Sequence, residues 1–250
     1  LPDPPEKVEV RVAGENYLSV AIEPPDDAAG VTEYKFKVFS ERSFLTYAKS
    51  TLTSVDVDDK AALRLTSGSF TVESWVKIKG LIPTSFPTNL YPIVTKRKCN
   101  FGSIGWQLYL SGTSTGATII WNADNNDQVF DSANHRPDVR LQTETWYHIA
   151  VVYDHSSTTT ALWLNGQSAG ENSIERNSGT CGGPLRIGYD DSGNSPYYFG
   201  GHIGEVRISA SAIYLNSFEP SSTLARAGDG STLALWHINE GSKSSEVLDD

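Results

Sequence analysis

The run Ile187-Gly188-Tyr189-Asp190-Asp191-Ser192-Gly193-Asn194 places Asp190, Asp191 and Asn194 in a turn directly after a strand. Carboxylate and amide oxygens on a flexible loop are the donors a hard divalent cation takes, so these three are candidate calcium ligands. The same residues also suit an Asx-rich turn whose side chains bond the local backbone. A second oxygen-rich stretch, Asp124-Asn125-Asn126-Asp127, reads as a plain hairpin turn. Trp75 and Trp163 alternate with aliphatic neighbours. Each is therefore expected on the opposite sheet face from those neighbours, where an indole can stack on the C–H face of a pyranose. Most of the other tryptophans read as core.

Bond-breaking chemistry is poorly provided for. A glycosidase needs two carboxylates about 5–9.5 Å apart, whereas Glu73 and Glu205 are isolated strand carboxylates. Glu205 also has a structural reading, as a strand carboxylate beside Arg207 on the same face that a cross-strand cation holds. His135, His148, His155, His202 and His237 show no two-histidine zinc spacing, and no Gly-x-Ser-x-Gly accompanies them. We read the chain as a non-enzyme.

The formal charge of −10 and sequence pI of about 5.0 exclude a phosphate-backbone partner, because nucleic-acid binding needs a wide basic stripe to displace counterions. The one basic cluster, Lys96-Arg97-Lys98, reads as a solvated strand end. No apolar run approaches the roughly 18 residues of a membrane span. With neither an initiator methionine nor a secretion signal, the start reads as lying inside a processed or larger polypeptide. Cys99 and Cys181 form no CxxC pair and no zinc site by themselves. A disulfide or two buried thiols both remain open.

The elements that must position these groups are strands. Val8, Val10 and Val12, then Leu18, Val20 and Ile22, then Tyr34, Phe36 and Val38 alternate behind a proline-rich entry. From about Ser50 short alternating segments follow one another, separated by Gly, Asn, Asp and Ser turns. In SFTVESWVKI, Phe70, Val72, Val76 and Ile78 share one face and Glu73, Trp75 and Lys77 the other, which is a half-buried strand. Further strands are expected in GWQLYL, ATIIW, TWYHIAVVYD, TTTALWLNG, PLRIGYD, HIGEVRIS and STLALWHI. Asn165-Gly166 should close a tight hairpin, since both positions tolerate positive φ. In that hairpin Trp146, Val152, Leu162 and Leu164 are available to the core. Gly200 and Gly201 should lie where a loop re-enters the sheet. Helix is expected only as one short turn near Ser221 to Arg226.

LRLTSGSFTVESWVKI, PIVTKRKCN with GWQLYL, ETWYHIAVVYDHSSTTTALWLNGQSAG, PLRIGYDDSG with YFGGHIGEVRIS, and STLALWHINEG occur in an order that resembles the concanavalin A-like superfamily of laminin G, pentraxin and legume-lectin domains. The opening PPEKVEVRV, NYLSVAIEPPDD and VTEYKFKVF resemble the first strands of a fibronectin type III module, over about 40 residues. The resemblances imply an all-β chain: an antiparallel jelly-roll β-sandwich over residues 45–250, preceded by a short β unit over residues 1–44. They also imply ligands at the rim of the concave sheet.

The resemblance further implies calcium ligands in the Asp190 loop. It adds Asn100, which follows a Thr-Lys-Arg run as in pentraxins, although Cys99 stands where those carry an acid. It places Cys99 and Cys181 at strand ends where loops meet, which implies a Cys99–Cys181 disulfide. The expected function is a non-catalytic extracellular binding or adhesion module, glycan-binding and calcium-assisted, on a cell or virion surface. Its partners would be a glycan or extracellular protein and neighbouring domains. The alternatives are a structural or protein-interaction domain of such an assembly and, last, a glycoside hydrolase.

Overall fold

The computed structural model describes residues 7–14, 17–23, 45–47, 55–80, 90–97, 105–123, 126–130, 140–173, 182–190, 197–224 and 228–238. The chain divides into two compact units, Leu1–Ser40 and Glu41–Asp250. In the first, β1 (Lys7–Gly14) and β2 (Tyr17–Glu23) form an antiparallel hairpin with Val10 opposite Val20. The third fibronectin-like run, Tyr34 to Val38, lies outside the described residues, and so do Asn100, Asp191, Asn194, Cys99, Cys181 and His135.

The second unit is a sandwich of antiparallel sheets. Its strands are β3 (Leu45–Tyr47), β4 (Val55–Val57), β5 (Phe70–Ile78), β6 (Leu90–Lys96), β7 (Trp106–Thr113), β8 (Gly116–Ala123), β9 (Asn126–Phe130), β10 (Trp146–Asp154), β11 (Thr159–Leu164), β12 (Gln167–Ser173), β13 (Leu185–Ile187), β14 (Tyr189–Asp190), β15 (Tyr197–Tyr198), β16 (Gly201–Ser209) and β17 (Thr232–Trp236). One sheet has seven strands in the order β12-β11-β10-β5-β16-β17, with β3 also paired to β16. The other has six in the order β4-β13-β6-β7-β8-β9, and β14-β15 is a separate two-stranded ribbon. The helical turn among the described residues is a 3-10 turn at Ala61–Arg64. Ser221–Leu224, where a turn of helix was expected, is irregular.

Period-two alternation sends one side of each strand into the space between the sheets. Phe70, Val72, Val76 and Ile78 of β5 meet Trp106, Leu108 and Leu110 of β7 and Ile119 and Trp121 of β8 in one core. Its centre is aromatic: Trp121 lies 5.4 Å from Trp106 and 5.5 Å from Phe70, which itself stacks on Tyr153. The Trp106 indole N–H donates to the Leu63 carbonyl at 2.9 Å, so burial leaves that polar atom satisfied. Asn165 and Gly166 have φ of 50° and 74°, the two positive values that a two-residue hairpin demands, and they join Leu164 to Gln167. A Cβ on Gly201 would overlap the Lys77 carbonyl oxygen, so only glycine fits where β16 enters beside β5.

Burial differs from the alternation at several points. The outer face of β5, β10 and β16 is itself covered, because residues 210–224 cross it as a strap. Ala150, Val152 and Trp163 form a second apolar cluster against Ala212, Tyr214 and Phe218 of that strap. Val152 therefore belongs to this cluster, with Ile149, Val151 and Tyr153 entering the main core instead. Trp146 is half-buried on the same outer side, its ring 5.4 Å from the Lys77 ammonium. A strand buried on both faces gives no polar alternation from which its inner side could be read.

Lys96, expected in solvent, is fully buried. Its ammonium donates to Asp59 Oδ1 at 2.7 Å and to the Gly183 carbonyl at 2.6 Å, while Arg64 holds the other side of Asp59. The hydrogen bonds from Arg64 and then Lys96 hold the Asp59 carboxyl far below the usual carboxylate range. A lowered carboxyl contributes stability that is present above its unfolded pKa and lost as pH falls through the folded value. The thermal midpoint should therefore drop progressively below about pH 4. Glu73, Asp154 and Asp229 are shifted in the same direction. Asp59→Asn should lower the midpoint at neutral pH and make the acid slope shallower, as read by calorimetry across pH. An unchanged slope would remove Asp59 from the acid response.

Candidate functional site

With the outer face of the seven-stranded sheet closed by the strap, the six-stranded sheet supplies the other broad face. Antiparallel partners share a face, so the strand registers define its rows. Arg186 stands opposite both Asp56 and Thr95, Thr95 opposite Gln107, and Gln107 opposite Asn122. These side chains form a polar ladder across β4, β13, β6, β7 and β8, directed away from the core. The next row pairs Pro92 with Tyr109 and Tyr109 with Ile120, and a third pairs Leu90 with Ser111 and Ser111 with Thr118. The face thus alternates an amide-rich row, an aromatic and apolar row and a hydroxyl row.

Local contacts hold the ladder. Arg186 Nε donates to Asp56 Oδ1 at 3.2 Å, and the guanidinium sits 5.4 Å from the Tyr189 ring centre. Tyr189 in turn lies 4.9 Å from Tyr198 across the β14-β15 ribbon, and both rings are half-buried. The Thr95 hydroxyl donates to the Tyr189 carbonyl at 2.8 Å, which fixes β14 against β6. The Gln107 amide lies between Arg97 Nη1 at 2.6 Å and Asp190 Oδ2 at 3.2 Å, and both are satisfied when its oxygen is assigned to the side of the guanidinium and its nitrogen to the side of the carboxylate. At the far end of the face Arg140 donates to the Thr118 hydroxyl. Gln107, Asn122 and Thr118 are all under a tenth exposed.

Of the residues expected to act, Asp190 stands in this face. It lies within β14, 8% exposed, with its carboxylate bound to Gln107. Among the described residues no group of three His, Cys, Asp or Glu side chains is placed to hold a metal ion. Trp75 and Trp163 belong to the other sheet, beneath the strap. Trp163 is 6% exposed with Phe218 against its ring, and the Trp75 N–H donates to the Ser221 carbonyl at 3.1 Å. Their role here is to seat the strap, and the aromatic rings at the polar ladder are Tyr189 and Tyr198. Gln107, Asn122 and Tyr109 were missed by sequence reading although their strands were recognised. The signal lay in the parity opposite to Trp106, Leu108 and Trp121.

The strand carboxylates are also occupied. Arg207 pairs across strands with Glu73 at 2.6 Å. Glu73 further accepts from Tyr214 at 2.8 Å and contacts His148 Nε2 at 3.0 Å. Burial alone would raise the Glu73 carboxyl, but the hydrogen bond and charge of His148, the charge of Arg207 and the Tyr214 hydroxyl bring it below the ordinary value. Glu205 accepts from the Leu224 N–H at 2.7 Å and contacts His237 Nδ1 at 2.7 Å. Both carboxylates anchor the strap or its flank.

A family model described as the concanavalin A-like lectin/glucanases superfamily, laminin G type, matches residues 49–215. A search of curated proteins gives no match. Among solved structures, a putative carbohydrate binding protein from Bacteroides ovatus is similar, with 16% identity and a TM-score of 0.50 over 84% of this chain and 54% of that one. This chain thus corresponds to about half of that protein. A pentraxin from Limulus polyphemus shows 14% identity and a TM-score of 0.47 over 67% of this chain and 76% of that one. A carbohydrate-binding module of a Ruminococcus gnavus sialidase shows 15% identity and a TM-score of 0.49 over 70% of this chain and 93% of that one. These likenesses speak to the fold, and the family match covers more than half of the chain. The chain belongs to the concanavalin A-like lectin/glucanase superfamily, as a laminin G-like jelly-roll domain.

Proposed function

We propose that this chain is a non-catalytic glycan-binding module that works outside the cell within a larger surface or fibre protein. The observation that carries the reading is the half-buried Tyr189 and Tyr198 ring pair with the Arg186 guanidinium against it, at the end of the ladder whose inner members Thr95, Gln107 and Asn122 are buried. A sugar has hydroxyls that both donate and accept at its edge and C–H groups on its faces. Arginine N–H groups bind the first and aromatic rings bind the second. On this face Asp56 is bonded to Arg186 and Asp190 lies against Gln107, so neither is set as a proton donor against a nucleophile. The superfamily match leaves out the Leu1–Ser40 unit, which supports a multi-part protein.

A glycan array, run with and without calcium and followed by calorimetry on the strongest oligosaccharide, tests this. Tyr189→Ala should weaken binding about tenfold, equivalent to losing one aromatic contact, and Tyr198→Ala should do so comparably. Trp163→Phe, beneath the strap of the other sheet, should bind as the parent does. A protein that binds no saccharide, or that binds equally after both face substitutions, would refute the assignment. Reducing-sugar release from mixed polysaccharides would favour a hydrolase instead.

A further inference from the structure

We propose that the row Trp146-Lys77-His202, on the outer face of the seven-stranded sheet, is a second ligand site that takes a carboxylated sugar through an indole and an ammonium. The inference rests on the glycan-binding reading of the chain but uses the opposite sheet from Tyr189 and Tyr198. Trp146 of β10 and His202 of β16 both stand opposite Lys77 of β5, so the three share one face. The strap meets the sheet one row earlier, where the Ser221 carbonyl takes the Trp75 N–H and the Leu224 N–H reaches Glu205. In and beside the next row Lys77 and Trp146 are half-buried, and Lys79 and Glu144 are exposed. Solvent therefore reaches it.

The indole lies along the sheet. Trp146 and Gly204 belong to strands on either side of β5, a separation of about 10 Å at ordinary strand spacing. Yet a Cβ on Gly204 would stand 3.7 Å from Trp146 Cζ3. The ring thus reaches across β5, and the lack of a side chain at Gly204 leaves it room. The Lys77 ammonium stands over that ring, 5.4 Å from its centre, and the His202 ring is 6.2 Å away. Local charge here is positive, in a chain whose formal net charge is −10. Burial first, then the charges of Lys77 and Lys79, hold the His202 imidazole below its ordinary value, with Glu144 acting in the other direction. The Glu144 carboxylate itself accepts the Gly80 N–H at 3.1 Å. A carboxylated sugar joins a C–H face, which suits an indole, to an anion, which suits an ammonium. A positive local field also raises the concentration of anions around it, which favours this sugar over a neutral one.

The test uses the full chain with two acidic probes, tri-galacturonate and a hyaluronan tetrasaccharide, and with neutral galactotriose as the control. In an NMR titration an acidic probe should shift the Trp146 indole N–H and His202 ring resonances, and galactotriose should leave both in place. Lys77→Gln should weaken the acidic probe about tenfold, and Trp146→Ala comparably. Lys77→Arg, which keeps the charge, should stay within about threefold of the parent. Added sodium chloride should weaken binding. Thermal midpoints of the variants separate lost binding from lost folding, and the shifts in the parent protein need no variant. Acidic probes that leave the Trp146 and His202 resonances in place, or that bind Lys77→Gln as tightly as the parent, would overturn the second site. Neutral saccharide binding that Tyr189→Ala weakens would in that case leave the glycan reading intact. Acidic probes that shift only the Tyr189 and Tyr198 resonances would overturn the second site while supporting the first. Failure of every saccharide to bind would remove both.

Discussion

Glu73→Ala should destabilise the Glu41–Asp250 unit by roughly 3–5 kcal/mol, the cost of removing one member of a buried ion pair. For a domain of this size that corresponds to a fall of roughly 6–20 °C in thermal midpoint. Glu73 is completely buried on the outer side of β5, and it gathers Arg207, Tyr214 and His148. Removing it takes away the carboxylate that the Arg207 guanidinium pairs with, while the Tyr214 hydroxyl at 2.9 Å stays within its reach. Tyr214 loses the acceptor that orients its ring, and that ring stacks on Phe218 at 3.6 Å within the strap. The double substitution Glu73→Leu with Arg207→Met should recover much of the loss, because a pair replaced by apolar groups leaves no charge behind. Calorimetry on the three proteins provides a mutant cycle. A Glu73→Ala protein within 1 kcal/mol of the parent would mean that the network adds little.

Gly166→Ala should cost on the order of 3 kcal/mol, a larger effect than an added methyl usually has at a hairpin turn. Part of it is the positive φ of 74°, which an L side chain adopts at a penalty of about 1–2 kcal/mol. The remainder comes from the strap. A Cβ at this position would overlap the Phe218 carbonyl oxygen and stand 2.8 Å from its carbon and 2.9 Å from the Pro220 ring. The Phe218 N–H donates to the Gly166 carbonyl at 2.9 Å, so the turn and the strap are bonded at the point where the new methyl would lie. The strap must lift, and the contacts of Phe218 with Trp163 and His148 lift with it. Hydrogen exchange should accelerate at the Ile213, Phe218 and Leu224 amides before it does in β5 or β7. Uniform acceleration through the sandwich would show that the strap is not a separate opening unit.

Much of the sandwich is legible from residue order. Phe70, Val72, Val76 and Ile78 enter the core that alternation assigns them, and Asn165-Gly166 forms the turn its residue types require. Strand parity and turn chemistry are local properties, and they act over a few residues whatever the surroundings. The candidate site is less legible. Asp190 attracts notice because acids cluster after a strand, yet its partner Gln107 lies 83 positions away, in a segment that reads as a plain core strand. Trp75 and Trp163 look like a sugar platform in sequence because they break an aliphatic alternation. Nothing near either residue announces that the strap will bury Trp163 and bond the Trp75 N–H at Ser221.

The sequence by itself determined which residues alternate, where the hairpins turn, and that the result is an all-β chain of this superfamily. Tertiary structure alone decided which sheet face the strap closes. The strap is joined to β16 in sequence, but it lies over β10 and β11, brought there by the sheet order β11-β10-β5-β16. Lys96 offers a second case. Its neighbours Arg97 and Lys98 suggest a solvated end, and its burial follows from Asp59 and the Gly183 carbonyl, 37 and 87 residues distant. Local preferences are additive along the chain, whereas closing a face or neutralising a buried charge depends on groups that meet only once the sheets have assembled.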